Sequence, residues 1–295
     1  MNQPDPRIGQ VLGGRYELLR KMGAGGQSVV YAALDRVDGD EVAVKVLHAR
    51  AVKREAREPM GPDAQERMFR EAQAMASLAG TAAVRVLHQL WADDGAMCLV
   101  MELLHGDSLS TYLDAREKRG ERMPPRVLFD LLAPIVHTLE EAHTRGIVHR
   151  DLKPENVFIV DPAKGGGVRL LDFGFAKFVR APPITDTGMV AGSPCYIAPE
   201  AWLQGSSGLD HRIDIYALGV ILFRALGGQV PFDAADMRDL YKLVTTAQRP
   251  SLHALRPDLP ASVDEWTRQA LAVRPDDRFN RVLAMWNALR AAMEG

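Results

Sequence analysis

The sequence predicts an α+β protein in two lobes, a small antiparallel β-rich lobe followed by a larger helical one. Three observations carry this expectation. The first hundred residues hold short apolar stretches punctuated by Gly and Asp, as antiparallel strands do. Past Gly106 the texture changes to long stretches of helical periodicity. An apolar share of 47% over 295 residues is enough for a full core.

In chain order, residues 1–15 read as an N-terminal extension. Residues 16–22, 29–35 and 41–47 read as strands. Residues 49–62 are charged and end in Pro-Met-Gly-Pro, which marks a long surface connection. Arg50, Lys53, Arg54 and Arg57 there read as a solvated face rather than a binding patch. Residues 63–78 have helical periodicity, with Met68, Met75 and Leu78 on one side. Residues 84–91 and 97–101 read as strands around the turn Asp93-Asp94-Gly95. The clearest helices are 126–144 and 213–226. Gly165-Gly166-Gly167 separates two short apolar runs with no helix after it, so it reads as a hairpin turn rather than a phosphate loop. The smaller lobe is assigned to 16–104 and the larger to 105–295.

Bulk properties narrow the function. A net charge of −2 argues against nucleic acid or an anionic membrane as the main partner. Cys98 and Cys195 are too few for a disulfide framework and suit a reducing compartment. Residues 1–10 are polar with two prolines and do not resemble a signal peptide. The longest apolar run, 215–223, falls far short of the ~20 residues that cross a bilayer. The expectation is a soluble, cytoplasmic chain without membrane insertion.

The chemistry is concentrated in Ile147-Val148-His149-Arg150-Asp151-Leu152-Lys153-Pro154-Glu155-Asn156. Asp151 is placed to accept a proton from an attacking hydroxyl, Lys153 to hold a transferring phosphoryl group, and Asn156 to bind a divalent metal through its amide oxygen. Asp172-Phe173-Gly174 begins sixteen residues after Asn156, and Ala198-Pro199-Glu200 follows. Upstream, Gly23-Ala24-Gly25-Gly26-Gln27-Ser28-Val29-Val30 lies between two expected strands and is followed by Val42-Ala43-Val44-Lys45. A lone pair of glycines would be weak; the strand that ends in a lysine sharpens it.

On these motifs the chain resembles the Hanks-type (eukaryotic-like) serine/threonine protein kinases, in wording most like the bacterial branch, from about Tyr16 to about Arg290. The resemblance implies the bilobal protein-kinase fold and a non-specific serine/threonine protein kinase using ATP and Mg²⁺, with Mn²⁺ as an alternative. It implies Asp151 as base, with Lys153, Lys45 and Glu71 in the catalytic set, and Asn156 and Asp172 as metal ligands. ATP would be held by Gly23, Ala24, Gly25, Gly26, Gln27, Ser28, Val30, Ala43, Lys45, Met101, Glu102, Leu104 and Phe158. Ser28 departs from the pattern, standing where a third glycine is expected. His149 and Asp214 are implied to be structural, His149 in a stack with Phe173, Met75 and Leu87. Glu200 is implied to pair with Arg278. Lys153-Pro154-Glu155-Asn156 favours Ser/Thr acceptors on protein substrates. Arg150 before Asp151 marks kinases switched by phosphorylation of the activation segment, here at Thr185 or Thr187, through a transient homodimer that phosphorylates itself in trans. Two other readings stand beside this one: a non-catalytic scaffold that keeps the fold, and a small-molecule phosphotransferase. The complete set Lys45, Glu71, Asp151, Asn156 and Asp172 weighs against the first, and Ala198-Pro199-Glu200 against the second.

Overall fold

The structure, a computed structural model, describes residues 5–25, 28–47, 76–173, 194–204 and 209–294. The chain divides into two compact units, Met1–His105 and Gly106–Gly295.

The first unit is one six-stranded antiparallel sheet, with strands β1 (Val11–Leu12), β2 (Tyr16–Ala24), β3 (Ser28–Asp35), β4 (Glu41–Leu47), β5 (Val86–Trp91) and β6 (Met97–Glu102) in the order β1-β2-β3-β4-β6-β5. Period-two alternation sorts its side chains. Val29, Tyr31, Val42, Val44, Val46, Cys98 and Val100 build one buried face. The intervening residues, Val30, Ala43, Lys45 and Met101 among them, belong to the other. Residues 5–12 close over the buried side. Gly9 N–H donates to Leu18 O (2.7 Å) and Leu18 N–H to Gln10 O (2.9 Å). The Asp5 carboxylate accepts from the hydroxyl of Tyr31, whose side chain is otherwise wholly buried, at 3.1–3.2 Å. Arg7 pairs with Asp94 in the turn between β5 and β6. That turn forms as expected, with Gly95 at φ 77° and Ala96 N–H donating to Asp94 Oδ1. The helix expected over 63–78 falls almost wholly outside the described residues.

The second unit pairs a small sheet with eight helices among its described residues. The strands are β7 (Gly106–Ser108), β8 (Val157–Val160) and β9 (Val168–Leu170). The helices are α1 (Leu109–Lys118), α2 (Pro125–Thr144), α3 (Pro199–Gln204), α4 (Arg212–Gly227), α5 (Met237–Thr246), α6 (Leu252–Leu255), α7 (Val263–Ala270) and α8 (Val282–Glu294). Gly165, Gly166 and Gly167 all have left-handed φ in the β8–β9 connection, the hairpin expected there. At Gly106 (φ 140°) a Cβ would sit 2.1 Å from Ile159 O, so only glycine lets β7 meet β8. Helix α1 starts where Ser108 caps Thr111 N–H at 3.1 Å. Helix α4 is buried nearly all round, from Ile213 to Gly227 with only Arg224 short of full burial, and ends at Gly228 in the left-handed conformation. One buried ion pair ties the unit together. Arg278 donates from Nη1 and Nη2 to the two Glu200 oxygens at 2.7 and 2.6 Å. Its remaining N–H groups go to the carbonyls of Ala272, Arg212 and Val273. All five guanidinium donors therefore have acceptors.

Candidate active site

Helix α2 ends at a turn in which Gly146 takes φ 73°, and Ile147 N–H returns to Ala142 O at 2.8 Å. The chain then enters the loop 147–153. This loop has no regular backbone ladder of its own, so its N–H groups need other acceptors. Asp214, on α4 and 1% exposed, supplies them. It accepts His149 N–H at 2.7 Å and Arg150 N–H at 2.9 Å. The second bond holds Arg150 in the left-handed region (φ 64°), a conformation that costs a non-glycine residue on the order of 1 kcal/mol. A third donor, His143 Nε2 from the end of α2, reaches Asp214 at 2.8 Å. Burial alone would raise the Asp214 pKa; the hydrogen bond and charge from His143, with the His149 bond, outweigh it and hold it low.

His149 is fully buried and serves as a structural pin. Its Nε2–H donates to Leu171 O at 2.8 Å, and Nδ1 accepts Asp151 N–H at 3.3 Å. Those two roles require the neutral ring, and burial lowers its pKa accordingly. The ring lies 4.8 Å from that of Phe173. Of the other two residues expected in this stack, Met75 lies outside the described residues. Leu87 belongs to the first unit. The β5–β6 register slips between Val86 and His88, leaving Leu87 in the irregularity and 41% exposed.

Asp151 and its neighbours are brought together. Lys153 Nζ stands 3.2 Å from Asp151 Oδ2, both side chains about one-fifth exposed. Asn156 Nδ2 donates to Asp151 O at 2.7 Å and to Asp151 Oδ2 at 3.2 Å, which turns the amide oxygen of Asn156 away from Asp151. Asn156 closes the turn Pro154–Asn156 that leads into β8. Leu171 N–H donates to Asn156 O at 2.8 Å, so the main chain sets Asp172 beside Asn156. Asp172 also takes a left-handed φ, 50°. Phe158 lies on β8 opposite Arg169 and Ser108.

In the first unit, Lys45 sits on β4 opposite Val30 and Leu99, and Ala43 opposite Met101. Directly opposed residues in an antiparallel pair share a face. Val30, Ala43, Lys45 and Met101 are thus gathered on the sheet face away from the 5–12 segment. Glu102 is the last residue of β6, its carboxylate accepting Arg85 N–H at 2.8 Å; Leu104 follows in the connection. Gly23, Ala24 and Gly25 lead into the hairpin tip, which Gly25 N–H closes onto Ser28 O at 2.8 Å. Neither Gly23 nor Gly25 has a left-handed φ, and a Cβ on either would meet nothing closer than 3.9 Å. Their lack of a side chain is therefore not demanded by the fold around them. Gly26, Gln27, Glu71, Thr185 and Thr187 lie outside the described residues.

Sequence reasoning missed His143. Its partner Asp214 is 71 residues away, and a histidine at a helix end carries no local signal of such a bond. Burial pushes the Cys195 thiol up to about 11, which disfavours the reactive thiolate.

Residues 16–286 match the protein kinase domain family, and the chain belongs to that family. It is similar to serine/threonine-protein kinase Pkn1 of Myxococcus xanthus, 35% identical over 293 residues, which cover 98% of this chain and 40% of Pkn1. It is similar to serine/threonine-protein kinase PknL of Mycobacterium tuberculosis, 35% identical over 291 residues, 98% of this chain and 68% of PknL. The fold matches the crystallised kinase domain of Mycobacterium tuberculosis PknI with a TM-score of 0.73 at 25% identity, covering 98% of this chain and 99% of that one. These bacterial likenesses fit a Hanks-type domain of the bacterial branch. No helix among the described residues is long and apolar enough to cross a membrane.

Proposed function

We propose that this chain is the catalytic domain of a serine/threonine protein kinase that transfers the γ-phosphate of ATP to protein hydroxyls in the cytoplasm. The observation that supports it most is the Asp151 cluster, a carboxylate held by Asn156 and set 3.2 Å from the Lys153 ammonium on a loop pinned by Asp214. In this reading Asp151 orients the substrate hydroxyl and takes its proton as the new P–O bond forms and the bond from the γ-phosphorus to the departing ADP breaks. Lys153 then offers positive charge where the transferred phosphoryl group gathers negative charge.

The donor set fits a magnesium ion. The Asn156 amide oxygen and the Asp172 carboxylate are hard oxygen ligands, and these two residues would hold it. When bound, Mg²⁺ neutralises charge on the phosphates. Lys45, steadied by Glu71, would meet the α- and β-phosphates, and Gly23 and Gly25 would admit them close to the backbone. Val30, Ala43, Met101, Glu102, Leu104 and Phe158 would contact the base. Arg150 is assigned the anion left by phosphorylation of Thr185 or Thr187, acquired in trans within a transient dimer.

The test is incubation of the purified chain with ATP and a generic basic protein, with and without Mg²⁺, followed by mass-spectrometric site mapping. Phosphate should enter the protein only with the metal and only with Asp151 intact, so Asp151→Asn should abolish transfer. Thr185 or Thr187 should be modified in the wild type. A fully active chain with both threonines unmodified would remove the switch from the proposal, and an Asp151→Asn variant of undiminished activity would remove the base.

A further inference from the structure

Arg224 is the cation in the last turn of helix α4, and its side chain is only 13% exposed. Burying a guanidinium is costly unless its donors are matched. Here they are matched by residues of two other elements. Nε and Nη2 donate to the two oxygens of Glu117 at 2.9 Å each, and Nη2 also reaches Asp114 Oδ1 at 2.5 Å. Both acids lie on the same face of α1, three residues apart. Nη1 donates to the Tyr196 hydroxyl at 3.2 Å. Tyr196 is 5% exposed and closes the turn Pro194–Tyr196, just ahead of Ala198-Pro199-Glu200. With Ile197, it lines the same cavity as Arg150, Asp151 and Lys153.

We propose that Arg224 is a positioning residue for the protein substrate: it ties the Tyr196 turn to α1 and thereby shapes the surface that receives the hydroxyl-bearing chain beside Asp151. The inference rests on the kinase reading above. The planar fork matters as well as the charge. A lysine supplies one ammonium nitrogen, which cannot hold Glu117 through both oxygens while also reaching the Tyr196 hydroxyl. None of Arg224's partners is among the residues assigned to ATP, so nucleotide handling should not follow it.

The experiment is initial-rate kinetics on Arg224→Lys, Tyr196→Phe and the double variant, with a generic basic protein and ATP varied in turn. Each single variant should raise the KM for the protein about tenfold, the loss of roughly one charge-assisted hydrogen bond's worth of alignment. The KM for ATP and kcat should stay within about twofold, and the double variant should be no worse than the weaker single, because both changes break the same tie. A purely structural role would instead lower kcat with both KM values unchanged, and that result, an unchanged protein KM, or a parallel rise in the ATP KM overturns the proposal. Should Arg224→Lys not fold, Tyr196→Phe decides by the same criteria. A wild-type chain that transfers no phosphate to the protein would instead count against the kinase reading, which separates the two failures.

Discussion

Replacing Glu200 by glutamine should destabilise the helical unit far more than so small a change suggests. The Arg278 side chain is 0% exposed and that of Glu200 is 9% exposed, so neither can turn to water. Glutamine keeps one acceptor but places an NH₂ against Arg278 Nη1 or Nη2, donor facing donor, and leaves the guanidinium without its counter-charge. Breaking a buried pair from one side costs about 3–5 kcal/mol. Because the volume is unchanged there is no cavity contribution, so about 3 kcal/mol is expected. The double variant Glu200→Leu with Arg278→Met removes both charges. It leaves only the carbonyls of Ala272, Arg212 and Val273 short of a donor, so it should cost less than Glu200→Gln alone. Urea unfolding followed by tryptophan fluorescence measures this directly, because Trp202, Trp266 and Trp286 of the four tryptophans belong to this unit. A loss below about 1 kcal/mol for Glu200→Gln, or a double variant as damaging as two independent losses, would refute the claim that the pair is a mutually dependent buried anchor.

Other consequences can be tested alongside. Lys45→Met and Asp172→Asn should each lower phosphoryl transfer at least ~100-fold while the protein keeps its fold, and near-wild-type rates in either would overturn those assignments. Ser28→Gly should change the KM for ATP by a few-fold, on the order of 1 kcal/mol, and leave the protein KM alone; an unchanged ATP KM in initial rates would show that position 28 does not limit nucleotide handling. Cys195, its thiol raised to about 11, is protonated at neutral pH. Its alkylation by iodoacetamide should be slow at pH 8 and accelerate towards pH 11 as thiolate forms; labelling at pH 8 as fast as that of free cysteine would contradict the burial argument.

What was legible in the sequence was mostly local. Strands β2, β3 and β4 announce themselves through period-two runs between Gly and Asp, and α2 and α4 through length and apolar content. The loop from His149 to Asn156 is legible because its chemistry is packed into adjacent positions. The features that escaped depend on partners far along the chain. Residues 5–12 have no periodicity, and their place is set by Tyr31, Leu18 and Asp94. Arg224 meets Asp114 and Glu117 across more than one hundred residues. The slip that exposes Leu87 arises from pairing β5 against β6, which alternation within β5 alone does not disclose. Glu200 with Arg278 was foreseen only through family resemblance, since nothing near either residue points to the other.

The burial of α4 on every side also bears on how the protein is made. Until its neighbours have formed, the stretch Ile215–Phe223 offers the nascent chain a run of nine residues with only a glycine among apolar side chains. Such a run, held in the open, is a site for chain-to-chain association and for capture by chaperones. The helix is finished by Gly228, yet Val263, Trp266 and Ala270 of the buried face of α7, which packs against it, are synthesised only some forty residues later. Variants that loosen this unit should therefore disappear into aggregates during expression rather than survive as soluble, weakly active protein.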